Sequence, residues 1–414
     1  QAILTLPTHF KKLSGYSAPV VDIQTRLYEG ESILLPQRQP DVPACILYTS
    51  GTTGVPKGVM IRERSIARLV VNSNMLKPLS SDVFALNATV SFDAHLFEFW
   101  GAMLNGCTAV VTSSHQLLQF DLLTALYRRH RVTIGFFTTS LGHSLIASCP
   151  EALLTLRHII FGGEGMNSGL AKKLLDSLPE CAILTNGYGP TETTTFTSFC
   201  NVTKEDCRRK SIPIGIPLRS DIHLILNEER KLVPDGTPGV LYVGGPGVSG
   251  GYLNGGLATS SRFISLPHLH DPSNGSAIYF DTGDVVRRLV DGRLEYIGRS
   301  DSQIKLRGFR IEPLEIARLL ESYTGITQAH VCVKELSRSS VLVAYISGSP
   351  NASQKEIRSF LEKSLPSYMI PTFFVKLRSF PLTSNGKLDS HRLPDPEVET
   401  YLDEEGKPLN EIEK

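Results

Sequence analysis

The sequence lacks the features by which several protein classes are recognised. Its seven cysteines are odd in number, widely spaced and never in a C-x-x-C pair, so neither a disulfide framework nor a zinc site is predicted. Lysine and arginine total 42 against 41 acidic residues, which argues against nucleic acid or a membrane as a partner. No apolar run approaches a membrane span, and the N-terminus has no signal-peptide pattern. A cytoplasmic protein is therefore expected.

The chain is nevertheless long and apolar enough to build a large folded protein. Its 414 residues exceed what one hydrophobic core usually supports, and 41% of them are apolar, so two or more domains are predicted. Because the sequence begins with Gln1 rather than methionine, we expect it to come from a longer polypeptide.

Short apolar runs bounded by glycine and proline alternate with helical patterns, which is typical of an α/β architecture. Strands are predicted at 44–48, 132–137 and 156–161. A helix at 117–131 is predicted before the second of these strands, and a helix at 151–155 before the third. The carboxyl ends of such strands commonly gather ligands.

The second half of the chain has a different residue pattern. Residues 214–253 alternate β-branched residues with Gly-Pro turns, which predicts a second, more antiparallel sheet. The overall prediction is an α/β fold with a large N-terminal domain of mixed sheets flanked by helices plus a β subdomain. A small α+β C-terminal domain follows across a hinge. The predicted boundaries are 1–300, 301–396 and a linker at 397–414.

A run of small, hydroxylic and flexible residues before a lysine is the densest functional signal. Glycines let backbone N–H groups approach phosphate oxygens, while hydroxyls and a lysine add donors and charge. The spacing differs from the P-loop pattern, and a turn-rich surface loop would have a similar composition. The candidate phosphate ligands are Thr49, Ser50, Gly51, Thr52, Thr53, Gly54 and Lys57.

Three further segments carry candidate ligands. In 186–194, Tyr188 can stack on a purine and Glu192 can bind Mg²⁺ beside phosphates, although a Gly-Pro turn is the structural alternative. Asp284 and Arg299 can bind ribose hydroxyls or phosphate, although hairpin turns are common in such sequences. Asp93 follows an apolar strand and is either a helix N-cap or the counter-ion of a ligand cation.

A lysine near the C-terminus is the last candidate. Lys387 follows Asn385-Gly386 in a predicted tight turn, where a lysine is normally just solvated. A mobile domain could also bring it to a phosphate site.

Taken together and in this order, these segments resemble the adenylation domains of nonribosomal peptide synthetases. These belong to the adenylate-forming superfamily, which includes acyl-CoA synthetases and luciferase. The motifs that carry the resemblance are 46–58, Phe92-Asp93, 186–192, 239–252, 282–284, 298–312, 365–371 and 385–387. Family members have roughly another hundred residues before the phosphate loop, so the usual N-terminal portion is expected to be absent here.

The resemblance implies an amino-acid ligase that uses ATP and Mg²⁺. An amino-acid carboxylate attacks the α-phosphate, giving an aminoacyl adenylate and pyrophosphate, and the acyl group then moves to a phosphopantetheine thiol. The resemblance implies that Lys387 and Glu192 are the catalytic residues and that Glu192 is the magnesium ligand. It also implies that Asp301 is the hinge between the two domains. The implied ATP/AMP site comprises 49–54, Lys57, Gly163, Gly187, Tyr188, Gly189, Thr191, Asp284, Arg299 and Lys305.

The resemblance also implies which residues select the substrate. Asp93 would pair with the α-ammonium, and the remaining lining resembles the pockets for valine. Phe136 stands where the nearest valine pattern has tryptophan, and its smaller ring leaves isoleucine open as a substrate. The implied substrate-binding residues are Asp93, Ala94, Phe97, Phe136, Ile160, Gly162, Gly187, Thr195 and Phe196.

The expected partners follow from the same resemblance. They are the amino acid and a peptidyl carrier protein bearing phosphopantetheine, with other synthetase modules or a small activator protein as further candidates; neither nucleic acid nor a membrane is expected. Two alternatives stay open: a stand-alone acyl- or aryl-CoA ligase, against which Asp93 argues, and a catalytically silent scaffold.

Overall fold

The computed structural model describes residues 3–5, 20–22, 41–50, 56–269, 277–300, 303–336, 339–348, 353–381 and 392–396. Its strands are β1 (Ile3–Thr5), β2 (Val20–Asp22), β3 (Pro43–Thr49), β4 (Lys57–Arg62), β5 (Val83–Leu86), β6 (Thr108–Val111), β7 (Ile134–Thr138), β8 (His158–Gly162), β9 (Ile183–Tyr188), β10 (Ser198–Asn201), β11 (Ile216–Pro217), β12 (Ile222–Leu226), β13 (Gly239–Gly244), β14 (Phe263–Ser265), β15 (Ile278–Arg288), β16 (Leu294–Arg299), β17 (Ile304–Leu306), β18 (Phe309–Ile311), β19 (Ile326–Leu336), β20 (Ser339–Gly348) and β21 (Phe373–Leu377).

The α-helices lie between these strands. They are α1 (Glu63–Val70), α2 (Ala94–Met103), α3 (Ser114–Leu118), α4 (Phe120–His130), α5 (Thr139–Ser148), α6 (Ser168–Ser177), α7 (Gly256–Arg262), α8 (Pro313–Glu321) and α9 (Gln354–Glu362). Among the described residues, no helix is both long enough and apolar enough to cross a membrane.

The chain divides into two compact units, residues 1–39 and 40–414. In the first, β1 and β2 form a parallel pair. The second contains a seven-stranded sheet in the order β11-β10-β9-β8-β7-β5-β6. Its β5 to β9 run parallel, and β10 and β11 are antiparallel additions at one edge.

The two faces of this sheet pack against different hydrophobic cores. Phe136 and Ile160 lie in one core with residues of α1 and α2. Phe137, Ile159 and Phe161, which alternate with them along β7 and β8, lie in the other core with residues of α4, α5 and α6. Burial on both faces explains why β7 and β8 read as continuous apolar runs.

Two further sheets follow along the chain. Strands β12, β13, β15 and β14 form an antiparallel sheet, with β16 paired to β15. Beyond residue 303, β19 to β21 form a third sheet whose core includes residues of α8 and α9. The predicted α/β fold, with a β subdomain and a small α+β subdomain at the C-terminal end, is confirmed. The boundary at residue 300 stays a prediction.

Two helix predictions were wrong in detail. The helix predicted over 117–131 is two helices, α3 and α4, separated by Gln119, whose backbone is extended. The helix predicted over 151–155 is a single 3₁₀ turn at Pro150–Ala152, and the longer helix of this connection, α5, precedes it. The predicted strands agree with β3, β7 and β8 within two residues at each end.

Candidate functional site

A cavity of about 200 Å³ lies where the carboxyl ends of β7 and β9 meet the C-terminal subdomain. Residues from the predicted phosphate, nucleotide and substrate sites line it together, as expected at the carboxyl edge of a parallel sheet. The predicted residues in its wall are Thr49, Ser50, Asp93, Ala94, Phe136, Gly163, Gly187, Gly189, Thr191, Thr195, Phe196, Asp284, Arg299 and Lys305.

Asp93 precedes the first residue of α2 and is only 8% exposed. Its carboxylate does not cap the helix, and it accepts a hydrogen bond from the Thr191 hydroxyl at 2.5 Å. Burial raises the pKa of Asp93 to about 6, although Thr191 and the charge of Lys305 lower it. A buried carboxylate in a cavity wall suits a cationic ligand group, so the counter-ion interpretation fits better than the cap.

The rest of this end of the cavity is apolar. Ala94, Phe136 and Phe196 line it, and the Phe136 and Phe196 rings lie 5.7 Å apart. Phe97 packs edge-on against Phe196 at 5.5 Å and, like Ile160, is buried beyond the wall rather than in it. Gly162 also lies outside the wall, where an added Cβ would come within 2.8 Å of the Gly187 carbonyl oxygen.

Asp284 and Arg299 form the polar end of the cavity. They are cross-strand partners on β15 and β16, and an Arg299 Nη lies 2.7 Å from an Asp284 oxygen. The Tyr188 hydroxyl donates to the other Asp284 oxygen at 2.5 Å. Burial and the Asp284 charge raise the pKa of Tyr188 well above its ordinary value, which keeps this hydroxyl a donor. The sequence thus predicted residues that the fold brings into direct contact.

Lys305 lies against the same group of side chains. Its ammonium is 5.1 Å from the centre of the Tyr188 ring, within range of a cation–π interaction. In this arrangement a β17 residue therefore covers the aromatic face that was predicted to receive adenine.

Glu192 is buried beside the cavity rather than in its wall. One carboxylate oxygen accepts a hydrogen bond from the Tyr252 hydroxyl at 2.6 Å, and the other lies 2.7 Å from an Arg310 guanidinium nitrogen. Burial raises the pKa of Glu192, but Arg310 and Tyr252 outweigh it, and the pKa is lowered.

An ionised carboxylate at this position fits a magnesium ion bound mainly by substrate phosphates, since such sites need only one or two protein carboxylates. Within the described part of the chain, no group of three or more histidine, cysteine or acidic side chains could hold a metal alone.

The predicted phosphate loop is described only at its start. Thr49 and Ser50 line the cavity, and the Ser50 hydroxyl donates to the Arg310 carbonyl at 2.8 Å. Lys57 lies outside the cavity wall, with its ammonium 5.2 Å from the centre of the Tyr252 ring. The predicted residues that lie outside the described part of the chain are Gly51, Thr52, Thr53, Gly54, Asp301 and Lys387.

Five cavity residues of the C-terminal subdomain were not predicted as site residues: Gln303, Gly308, Phe309, Arg310 and Tyr368. The Phe309 and Tyr368 rings stack at 4.1 Å with planes 6° apart. Both residues lie in motifs that carried the family resemblance. The motifs were therefore the available signal, but they do not reveal which of their side chains reach the cavity.

Comparison with known proteins finds relatives over nearly the whole chain. Bacitracin synthase 1 of Bacillus licheniformis is 38% identical over 389 residues, or 93% of this chain and 7% of that protein. Surfactin synthase subunit 2 of Bacillus subtilis (strain 168) is also 38% identical, over 400 residues, or 96% of this chain and 11% of that protein. The chain thus spans only a small part of the length of these curated relatives.

A solved structure shares the architecture. Holo-PA1221, described as an NRPS protein containing adenylation and PCP domains bound to a vinylsulfonamide inhibitor, has a TM-score of 0.84 at 30% identity, over 94% of this chain and 66% of that one. Residues 11–253 match the family described as AMP-binding enzyme. With more than half of its length in that match, this chain belongs to the AMP-binding enzymes, as an adenylation domain of the nonribosomal peptide synthetase type.

Proposed function

We propose that this chain activates an amino acid, with valine preferred, as its adenylate. An amino-acid carboxylate oxygen attacks the α-phosphorus of ATP, the bond to the bridging oxygen of the β-phosphate breaks, and pyrophosphate leaves. The observation that carries the proposal is the buried Asp93 carboxylate, which lies in the same cavity as the Asp284–Arg299 pair. One cavity thus offers an anchor for an ammonium group and a second polar anchor suited to a nucleotide.

The substrate end of the cavity supports an aliphatic amino acid. Asp93 pairs with the α-ammonium, and Ala94, Phe136 and Phe196 surround the side chain with apolar surface. Thr195 is fixed by its hydroxyl, which donates to the Asp93 carbonyl at 2.8 Å. The apolar rings of Phe136 and Phe196 on this wall suit a short branched chain. Isoleucine remains a competitor, because one methylene discriminates by only ~1–3 kcal/mol.

The nucleotide end is assigned from the contacts described above. Asp284 and Arg299 hold the ribose, and Thr49 and Ser50 begin the loop around the phosphates. Tyr188, which lies behind the cavity wall, is assigned to the adenine by family resemblance, and its ring face is open to adenine only when Lys305 moves aside. Glu192 would hold Mg²⁺ beside the phosphates, and the ion would supply positive charge that offsets theirs. Lys387, assigned by family resemblance, binds the substrate carboxylate and the charge that develops on the α-phosphate.

We also propose that the activated acyl group passes to the phosphopantetheine thiol of a carrier protein. The thiolate attacks the acyl carbon, AMP leaves, and a thioester forms. The support is that similar solved structures are described as containing adenylation and PCP domains. The measurement is valine-dependent loading of a holo carrier protein, followed by intact-mass spectrometry; no mass increase of the carrier would contradict this step.

Hydroxylamine trapping tests the choice of acid directly. The chain is incubated with ATP, Mg²⁺ and hydroxylamine together with valine, isovalerate, a longer fatty acid or an aryl acid, and the hydroxamate is measured. We expect a signal with valine that depends on Asp93. Isovalerate is the matched control because it keeps the branched chain and lacks the ammonium. Equal trapping of isovalerate would favour an acyl-CoA ligase, and no trapping with any acid would favour a scaffold.

A further inference from the structure

Part of the cavity wall has an unusual backbone. Thr194 and Thr195 have φ values of 59° and 67°, which places two consecutive β-branched residues in the left-handed region. This region is readily adopted by glycine and tolerated by asparagine, but it is unfavourable for β-branched residues. Such a conformation persists only where surrounding contacts hold it.

Arg68 supplies contacts on both sides of the two threonines. From α1, one guanidinium nitrogen donates to the Thr193 carbonyl and another to the Phe196 carbonyl, each at 2.6 Å. The Arg68 side chain is only 4% exposed. Its planar guanidinium therefore bridges the residue before the strained pair and the residue after it through two hydrogen bonds.

Asp221, which immediately precedes β12, completes this arrangement. Its carboxylate lies 3.4 Å from Arg68, and its side chain is fully buried. The same carboxylate oxygen accepts a hydrogen bond from the Thr197 hydroxyl at 2.9 Å. The charge of the buried guanidinium is thus balanced next to the segment that it contacts.

The strained segment in turn determines the shape of the substrate end. Thr195 donates to the carbonyl of Asp93, Thr194 donates to the Gly247 carbonyl at 2.9 Å, and the Phe196 ring forms part of the apolar wall. Arg68 is not in the cavity wall and acts on it only through these residues.

We infer that Arg68, paired with Asp221, is a positioning residue that sets amino-acid selectivity by holding residues 193–196 in their strained conformation. This inference rests on the proposed function, because it takes the cavity end beside Asp93 as the amino-acid pocket. A purely structural role for the pair is the alternative. It would lower stability and leave selectivity unchanged.

The chain offers a matched control for that alternative. Arg157 pairs with the buried Asp82, with its Nε 2.6 Å from a carboxylate oxygen, and neither residue lines the cavity. Arg68→Lys and Arg157→Lys each keep the positive charge and lose the bidentate guanidinium donor. Only the first change removes contacts to the cavity wall.

Hydrogen exchange measured by mass spectrometry on the full chain tests the positioning step without any activity. The amides of Thr194, Phe196 and Thr197 donate to carbonyls within or beside this segment. In Arg68→Lys we expect peptides covering 191–197 to exchange about tenfold faster than in wild type. Arg157→Lys should leave these peptides unchanged. Equal exchange in the two variants would overturn the inference.

Kinetics test the selectivity step. In Arg68→Lys we expect the kcat/KM ratio of valine to isoleucine to change about tenfold, the scale on which pocket shape discriminates. The KM for ATP should change less than about twofold, because the altered contacts lie at the amino-acid end. Arg157→Lys should keep the wild-type ratio. Faster exchange with an unchanged ratio would reduce Arg68 to a structural role.

Gly247 provides a second variant that leaves Arg68 in place. A Cβ added there would lie 1.8 Å from an Arg68 guanidinium nitrogen, so Gly247→Ala must displace the guanidinium. The same changes in exchange and selectivity are expected, and Gly247→Ala replaces Arg68→Lys if the latter does not fold. If the wild-type chain activates no amino acid, the proposed function fails, and hydrogen exchange still decides whether Arg68 holds the segment.

Discussion

The function proposed for Asp93 and the stability of the fold favour opposite charge states of this residue. Its pKa is about 6, against an ordinary value of 3.8, because burial penalises the charged form. Between these values the folded state binds more protons than the unfolded state. Stability therefore falls as the pH rises through this range and stays lower above it. An ionised Asp93 costs stability in the absence of a cationic ligand.

Replacing Asp93 with asparagine separates the two demands. Asparagine keeps an acceptor for Thr191 without a charge, so Asp93→Asn should raise the free energy of unfolding at pH 8 by ~1–3 kcal/mol. The same variant should lose valine-dependent activation. Urea unfolding at pH 8 and pH 4 measures the effect, and the gain should shrink at pH 4. A variant that is less stable than wild type at pH 8 would contradict this reasoning.

The same ionisation predicts a pH dependence of substrate capture. Only the ionised carboxylate of Asp93 pairs with an ammonium group, so kcat/KM for valine should fall as the pH decreases through about 6. Below that pH the decrease should approach tenfold per pH unit, because kcat/KM reports groups of the free enzyme. ATP binding, measured separately by calorimetry, should lack this decrease. A kcat/KM that is flat down to pH 5 would show that Asp93 does not bind the ammonium.

Two adjacent phenylalanines allow a sharp test of pocket size. The Phe136 side chain lines the cavity, whereas Phe137 packs against Phe161 in the core on the other face of the sheet. Phe136→Trp should reduce isoleucine activation relative to valine by about tenfold, because the larger ring narrows the pocket. Phe137→Trp is the control and should change stability without changing the ratio. Equal ratios in both variants would exclude Phe136 as a selectivity residue.

At the scale of secondary-structure elements, two glycines distinguish an effect on packing from an effect on substrate binding. Gly187 lies on β9 next to the cavity, and Gly142 of α5 packs against β8 away from it. A Cβ at Gly187 would lie 2.7 Å from the Phe196 ring, and one at Gly142 of α5 would lie 2.5 Å from the Phe161 ring. Alanine at either position should cost ~1–3 kcal/mol of stability through overpacking. Only Gly187→Ala should raise the KM for valine, because Phe196 lines the pocket. Thermal unfolding and steady-state kinetics measure both effects, and a similar KM change in Gly142→Ala would refute the assignment.

The sequence predicted strands and helices well where both faces of the element are buried by apolar residues, and poorly where the buried face has few of them. Strands β7 and β8 are buried on both faces and appear as plain apolar runs. Helix α5 was missed because its buried positions include Thr139 and Gly142, so its inner face has little apolar signal. The break at Gln119 was missed because the capping box of α3, between Ser113 and Gln116, gives no sign that the helix ends after one turn.

For the molecule as a whole, the motifs predicted which residues lie in or beside the cavity more reliably than they predicted which side chains pair. Asp284 and Arg299, both predicted as ribose ligands, are in contact because they lie on paired strands. Tyr188 contacts the same carboxylate. The pairing of Glu192 with Arg310 could not be predicted, because it joins side chains 118 residues apart through the placement of the C-terminal subdomain. Lys305 over Tyr188 has the same origin. Such contacts depend on how the subdomains pack, which no local pattern encodes.

The C-terminal subdomain therefore needs a test of its own. Lys387 is assigned by resemblance to the charge that develops at the α-phosphate, and electrostatic stabilisation of this kind is often the largest catalytic term. Lys387→Gln should lower the adenylation rate on the order of 10²-fold or more. Lys363→Gln is the matched control, since Lys363 is an exposed lysine at the end of α9. Comparable rates in the two variants would exclude a catalytic role for Lys387.

ATP–pyrophosphate exchange across the proteinogenic amino acids is the most direct test of the proposed function. It reports reversible formation of the adenylate and needs no carrier protein. We expect a maximum with valine, a smaller signal with isoleucine, and loss of both in Asp93→Ala. No exchange above background with any amino acid, or a maximum with an acidic or basic one, would contradict an aliphatic amino-acid pocket anchored by Asp93.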